Sequence, residues 1–310
     1  MISLKPVPPQ STLRTIFSLA AKHHFELEGM DIDAAYLNAP VEEELFVKLP
    51  AEFYSFSRDI PFVRRLRLQR STTGPCLYFS RDEGGETDIL VAVCIDDLVN
   101  VGRCEKVNEF KYSISQRFRM KDLGSLSRML GIEVRRDGPN GTISISQGGY
   151  IREVLKRCGL DKCRGVPTSV KGIVKILALD SGRSGNSTEY RGMVGPLMYA
   201  STGTRPDMAY AVHQAARRME DPCREDFSTC KRIFRYLSTV PDLGITLAGK
   251  SNGHSLEGFV DADRAEDVED RKSTTGYVFK LNDSAISWCS RKQQLVTWSS
   301  TEAEYVVVGE

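Results

Sequence analysis

The sequence predicts an α+β chain, and three observations predict it. A short run rich in β-branched residues, from Ile89 to Gly102, is interrupted by Asp96-Asp97 and reads as two strands joined at a tight acidic turn. Further along, apolar residues recur at helical spacing in several separate segments. Near the end, short strand-like runs return before a helix that opens after Trp298.

The first acidic set comes early. Leu27-Glu28-Gly29-Met30 leads into Asp31, and Ala34-Ala35-Tyr36-Leu37 follows it like a strand turning into a helix. A carboxylate pair flanked by residues of the buried type costs several kcal/mol per ion unless a positive charge meets it, and a divalent cation is the usual partner. Asp31 qualifies as the third carboxylate beside Asp96 and Asp97. Three carboxylates can hold two Mg²⁺ or Mn²⁺ ions for in-line phosphoryl transfer. The plainer reading of Asp96-Asp97 is a solvated hairpin turn, where Asp is common.

Helices come next. From Glu105 to Met120 the residues Val107, Phe110, Ile114 and Phe118 share one face of an amphipathic helix. Tyr150 to Cys158 repeats the pattern through Ile151, Val154 and Leu155, with Gly159 as its stop. Between Asp161 and Ser187 the pattern fades into Gly, Ser, Pro and Lys, so a domain boundary falls there. Glu189–Thr202 and Pro206–Met219 then read as a helical pair, Pro206 standing at a favourable first-turn position. A third helix, Phe227 to Leu237, aligns Cys230, Ile233, Phe234 and Leu237.

The tail carries its own acids. Leu256 to Asp263 is a strand-like run ending in carboxylates, and Asp270 to Val278 reads as a turn into a strand. Ala285–Trp288 and Leu295–Trp298 are expected to be two more strands. The helix that follows contains Glu302 and Glu304. Ser299 with Glu302, and Thr301 with Glu304, both have the spacing of a capping box.

At 310 residues the chain can bury a sizeable core in two or three modules. Its 42 basic and 41 acidic residues leave a net charge of +1, so affinity for nucleic acid has to come from local patches. Arg64-Arg65-Leu66-Arg67 with Arg70, Arg217-Arg218, Lys231-Arg232 with Arg235, and Arg291-Lys292 are the candidates, most of them equally readable as solvated faces. The eight cysteines and four histidines lack zinc-finger spacing and read as reduced thiols, and His23-His24 reads as packing or surface. No signal peptide, membrane-spanning run or lipidation motif is visible, so a soluble chain in the cytoplasm or nucleus is expected, with no membrane partner.

Several segments together resemble a known family. Thr12 to Ala21, Glu28-Gly29-Met30-Asp31-Ile32 and Ala35-Tyr36-Leu37-Asn38 look like the first polymerase motif of copia-type retrotransposon reverse transcriptases. Cys94-Ile95-Asp96-Asp97 resembles their aromatic-Val-Asp-Asp box. Met120-Lys121-Asp122-Leu123-Gly124, Leu130-Gly131-Ile132-Glu133, Tyr190 to Gly195 and Thr204 to Val212 follow in the family's order. The likeness covers nearly the whole chain.

The resemblance implies a Pol polyprotein fragment in which an RNA-directed DNA polymerase precedes a ribonuclease H. It implies a palm-like antiparallel sheet within residues 1–160, a linker and helical connection over 161–250, and the N-terminal part of a ribonuclease H-like sheet over 251–310. Asp31 and Asp96 would be metal ligands and Asp97 a supporting carboxylate. Tyr36, five positions after Asp31, would be the aromatic residue that excludes a 2′-hydroxyl; an ordinary core aromatic is the alternative. In the tail the first ribonuclease H carboxylate would be Asp261 and the helical one Glu304, with Glu302 as the alternative. RNA template, DNA primer and RNA–DNA hybrid would be the partners.

Departures from the family pattern carry equal weight. Between Phe53 and Cys76 the family has a longer stretch with a Leu-Tyr-Gly-Leu-Lys-Gln-like motif that packs on template and incoming base, and this chain lacks it. The basic fingers segment is also missing, and the chain ends at Glu310 before the remaining nuclease carboxylates. Cys94 stands where an aromatic residue is usual. The expectation is a chain that keeps a metal site and performs neither reaction, because catalysis needs metal and substrate held together. A nucleic-acid-binding remnant, or an inert structural one, is the alternative.

Overall fold

The computed structural model describes residues 8–309 except 33–67, 95–96, 139–140, 171–184, 248–254, 264, 266 and 268–269. It mixes helices with antiparallel sheets, and it divides into two compact units. The first comprises Met1–Met129, Arg136–Ile143 and Leu247–Asn252; the second comprises Leu130–Arg135, Ser144–Thr246 and Gly253–Glu310.

In the first unit, helix α1 (Gln10–His23) buries Leu13, Ile16 and Phe17, and His24 ends it in the left-handed conformation at φ 53°. Strand β1 (Glu26–Ile32) follows. The strands β2 (Gln69–Arg70), β3 (Leu77–Arg81), β4 (Thr87–Cys94) and β5 (Asp97–Gly102) come after it. Helix α2 (Cys104–Ser115) packs on them, and β6 (Met120–Ser125) and the short β7 (Arg128–Met129) complete this stretch. Six of these strands form one sheet in the order β2-β3-β4-β5-β1-β6. β1 therefore lies inside the sheet, between β5 and the last strand of that order, β6, antiparallel to both.

The two strands expected around the acidic turn are β4 and β5, paired so that Cys94 faces Asp97. β4 is buried along nearly its whole length, which explains the unbroken apolar run. Alternation along β1 and β5 turns Met30 and Leu98 toward α2, where they join Val91, Val93, Val107, Phe110 and Ile114 in one core. The helix expected to reach Met120 stops at Ser115. Phe118 still packs against that core, but Met120 is already the first residue of β6, paired with Ile32, so tertiary strand pairing outweighs the helical spacing there.

Strands β8 (Ile132–Asp137) and β9 (Thr142–Ser146) each have residues in both units. Helix α3 (Gly148–Arg157) ends as expected: Gly159 takes φ 65°, its N–H reaches the Lys156 carbonyl at 3.0 Å, and the Leu160 N–H reaches that of Leu155 at 2.8 Å. Helix α4 (Ser187–Gly203) begins at Asn186, whose side-chain oxygen accepts from the Thr188 and Glu189 N–H groups. A short 3₁₀ turn (Pro206–Met208), α5 (Ala209–Ala216) and α6 (Arg224–Thr239) complete a helical cluster. Its core joins Ile151, Leu155, Tyr190, Leu197, Val212 and Phe234.

After β10 (Ile245–Leu247), strands β11 (Leu256–Ala262), β12 (Thr274–Leu281) and β13 (Ser284–Lys292) form a three-stranded antiparallel sheet. Helix α7 (Ser300–Gly309) packs on β11 and β12. The strand expected at Leu295–Trp298 does not form. Gln293, 1% exposed, donates from Nε2 to the Thr275 hydroxyl at 3.2 Å and to the Ala303 carbonyl at 3.0 Å, turning the chain off the sheet toward α7. Leu295, Val296 and Trp298 are left exposed as a result.

Candidate active site

Asp31 and Asp97 stand directly opposite each other in the β1–β5 ladder. Asp97 has Cys94 as its partner on β4, and Asp31 has Lys121 as its partner on β6. Directly paired residues project from the same face of a sheet, so Cys94, Asp97, Asp31 and Lys121 form a row across four adjacent strands. Cys94 is buried, the two aspartates are half-buried and Lys121 is exposed. Asp96 and Tyr36 lie outside the described residues.

Two carboxylates placed opposite each other repel unless a cation lies near them. Lys121 supplies one charge at the side of the pair. Carboxylate oxygens are hard donors of the kind Mg²⁺ and Mn²⁺ take, so Asp31 and Asp97 are the residues here that could contribute ligands to a divalent cation. Among the described residues no group of three or more His, Cys, Asp or Glu side chains is gathered closely enough to hold a metal ion. Burial pushes the Cys94 thiol well above its ordinary value, and the nearby Cys76 and Asp97 push the same way, so Cys94 stays a neutral thiol beside the aspartates.

The tail residues occupy neighbouring elements. Asp261 is exposed on β11 opposite Gly276, and Glu304 is exposed on α7, the helix packed on that strand. Glu302 is engaged in starting the helix: its Oε2 accepts from the Trp298 N–H at 2.7 Å, and its own N–H donates to the Ser299 hydroxyl at 3.1 Å. Asp263 accepts from the Thr274 N–H at 2.9 Å. An open cavity of about 620 Å³ lies beside Asp261 and Asp263, which line it with Tyr210, Phe259, Tyr277 and Trp288.

Several cations of the candidate basic patches are committed to internal contacts. Arg217 pairs with Asp267, Arg235 Nε donates to the Arg164 carbonyl at 2.7 Å, and Lys292 Nζ lies 2.9 Å from Asp267 and 2.7 Å from Asp270. Arg64, Arg65 and Arg67 lie outside the described residues.

The sequence reading missed a charged cluster close to the first aspartates. Lys111 Nζ pairs with Glu28 and lies 2.7 Å from Asp122 Oδ1, which also accepts from the Gly124 N–H at 2.8 Å. Its visible signal is the Met120-Lys121-Asp122-Leu123-Gly124 motif, to which the sequence alone assigns no role. No helix among the described residues is long and apolar enough to cross a membrane.

Residues 57–171 match the family described as reverse transcriptase (RNA-dependent DNA polymerase). The retrovirus-related Pol polyprotein from transposon TNT 1-94 of Nicotiana tabacum is 32% identical over 336 residues, covering 98% of this chain and 25% of the polyprotein. The corresponding polyprotein from transposon RE1 of Arabidopsis thaliana is 31% identical over 330 residues, covering 98% of this chain and 22% of its own length. An uncharacterized mitochondrial protein of Arabidopsis thaliana is 32% identical over 213 residues, 68% of this chain and 86% of that protein. The chain thus spans about a quarter of the length of the curated polyproteins it matches. On this footing the chain belongs to the reverse transcriptase family carried in retrotransposon Pol polyproteins.

Proposed function

We propose that this chain is a copia-type polymerase and ribonuclease H segment that keeps a divalent-cation site at Asp31, Asp96 and Asp97 and does not extend a primer. The observation that carries the metal site is the opposition of Asp31 and Asp97 on adjacent strands, with residues 95 and 96 alone between β4 and β5. In this reading residues 1–160 are a palm, 161–250 a linker and helical connection, and 251–310 ribonuclease H-like, with Asp261 and Glu304 as its carboxylates. The partners are RNA template, DNA primer and RNA–DNA hybrid.

When bound, paired Mg²⁺ or Mn²⁺ ions activate an attacking hydroxyl and stabilise the leaving oxygen. Asp31 and Asp97 would hold their side of that pair from two adjacent interior strands of the sheet, and Tyr36 would crowd the sugar of an incoming nucleotide. The loss of polymerisation rests on what positions substrate. The family's template motif is missing between Phe53 and Cys76, and the alignment to the TNT 1-94 polyprotein runs over 336 residues against a chain of 310. Cys94, small and buried beside Asp97, replaces an aromatic side chain and leaves the primer side less filled.

The test is Mg²⁺- or Mn²⁺-dependent extension of a DNA primer on an RNA template, run beside an Asp96→Asn, Asp97→Asn variant and a titration with Mn²⁺. The expected result is no extension by either protein, with the Mn²⁺ bound at Asp31, Asp96 and Asp97 of the parent lost from the variant and any Mn²⁺ at the tail carboxylates kept by both. Extension by the parent that the variant lacks would establish a working polymerase and overturn the proposal; absence of Mn²⁺ binding would overturn the metal site.

A further inference from the structure

β6 is bulged against β1. Glu28 faces Ser125 and Gly29 faces Gly124, but Met30 then faces Asp122, so Leu123 is the extra residue. Gly124 sits at φ 66°, a conformation that glycine adopts without cost, and a Cβ there would strain the backbone. The Asp122 carboxylate closes the bulge by accepting the Gly124 N–H at 2.8 Å. On the other strand, a Cβ at Gly29 would lie 3.1 Å from Leu126 Cδ1, so β1 has little room opposite the bulge.

The same carboxylate is gripped from α2. Lys111 Nζ lies 2.7 and 2.9 Å from the two Asp122 oxygens and also pairs with Glu28 on β1. The Lys111 side chain is 11% exposed, so this cation is largely withdrawn from water between two acids. Burial alone would lower its proton affinity; hydrogen bonds and charge from Asp122 and Glu28 outweigh burial and hold it above the ordinary Lys value.

The position of this cluster matters. Glu28, Met30 and Asp122 point toward α2, whereas Asp31 and Asp97, one residue out of phase with Met30 and Leu98, project from the opposite face. Helix α2 begins two residues after β5 ends. Lys111 thus ties a helix that is continuous with β5 to both β1 and β6. A one-residue slip of β1 would turn Asp31 to the other face and away from Asp97.

We propose that Lys111, with Asp122 and the Gly124 bulge, is a positioning clamp that holds Asp31 in register opposite Asp97 from behind the sheet. This deepens the metal-site reading, on which its consequence for cation binding rests. Lys111 touches no candidate ligand; it acts through strand register.

Two readouts separate the clamp from the metal site. In an Asp31→Cys, Asp97→Cys protein, the disulfide between the two introduced thiols forms only when the residues stand opposite, because the Cα atoms must come within roughly 4.4 to 6.8 Å; peptide mapping after mild oxidation distinguishes it from pairings of native cysteines. Lys111→Met is expected to slow that bond at least tenfold, Lys111→Arg to restore it, and Lys106→Met, which removes an exposed charge from the same helix, to leave it unchanged. In the protein with both aspartates intact, Lys111→Met is expected to weaken Mn²⁺ binding about tenfold, the scale on which supporting residues act on metal sites.

Bond formation at the parent rate in Lys111→Met would overturn the clamp, and so would failure of the bond to form with Lys111 in place. A clamp-dependent bond in a protein that does not bind Mn²⁺ would keep the clamp and overturn the metal-site reading. Thermal unfolding of each variant identifies any that has merely failed to fold. The clamp would also be overturned if Lys111→Arg, folded as the parent, rescued neither readout.

Discussion

Arg205 forks onto Asp207: its Nε and Nη2 donate to the two carboxylate oxygens at 2.9 and 2.8 Å, while its Nη1 donates to the Val240 carbonyl at 3.0 Å. Arg205 is fully buried, its guanidinium lies 5.3 Å from the Tyr236 ring centroid, and the Tyr236 hydroxyl donates to Asp207 Oδ2 at 2.6 Å. This knot joins the 3₁₀ turn to α6 and explains structurally why Thr204-Arg205-Pro206-Asp207 reads as a motif. It belongs to the frame of the helical cluster.

Removing only the acid should therefore hurt more than removing both charges. Asp207→Ala strands a buried cation and is expected to cost about 3 kcal/mol or more, whereas adding Arg205→Met should return part of that loss. Burial pushes the Asp207 carboxyl up, but the hydrogen bonds from Arg205 and Tyr236 and the Arg205 charge outweigh it and hold the group below its ordinary value. A lowered folded value means that this stability is present above about pH 4 and is lost as pH falls through the folded-state value. Denaturant unfolding at pH 7 and pH 3 checks both statements.

A second contribution with the same pH sign lies at α5. His213 Nε2 accepts the Lys292 N–H at 3.1 Å, so it is held neutral at that atom. Burial lowers its proton affinity first, and the charges of Arg217 and Lys292 lower it further; Asp267 and Asp270 face the same cluster but are paired with those cations. The folded chain then binds fewer protons than the unfolded chain below about pH 6.5, so stability is complete above that pH and declines as the solution is acidified. His213→Gln is expected to flatten the change in melting temperature between pH 7.5 and pH 5.5, and an unchanged slope would show that other groups set it.

How far the fold is legible in sequence depends on whether its cause is local. The acidic hairpin and helices α3, α4 and α6 are legible because apolar periodicity and Gly159 act over a few residues, whereas Asn186, read as part of a linker, is the cap of α4. The missing strand at Leu295–Trp298 is not, since the buried Gln293 side chain diverts the chain through partners at Thr275 and Ala303. The clamp at Lys111 is likewise invisible, because residues 28, 111 and 122 meet only after β1, α2 and β6 have packed. Of the candidate site, Asp31 and Asp97 are legible as acids next to apolar runs, and their direct opposition follows only from strand order. Glu302 and Glu304 remain equivalent by spacing until hydrogen bonds distinguish them.

Two glycines should respond to the same substitution in opposite directions. A Cβ at Gly102 would lie 2.4 Å from the Asp88 carbonyl oxygen and 3.0 Å from Ile89 Cα, both backbone atoms of the neighbouring strand. Gly102→Ala is expected to cost about 2 to 3 kcal/mol through forced displacement of β4. Gly192, inside α4, faces open space, so Gly192→Ala should gain about 0.5 to 1 kcal/mol by helix propensity. Parallel denaturant titrations of the two variants decide the matter.

The two tail glutamates can be separated by asking what each loses. Glu302 and Ser299 close the start of α7, so Ser299→Ala and Glu302→Ala are each expected to cost about 1 kcal/mol, the scale of a lost helix cap. Neither should alter cation binding in the tail. Glu304 is exposed on the helix that packs against the Asp261 strand, so Glu304→Gln should leave stability within about 0.5 kcal/mol of the parent and weaken Mn²⁺ binding. The titration is made in an Asp31→Asn, Asp97→Asn background, which silences the first aspartates and leaves the tail carboxylates as the proposed site. If Glu302→Ala instead removed Mn²⁺ binding while Glu304→Gln did not, the ligand assignment would move one helical step back, and the cap would have to open whenever a cation bound.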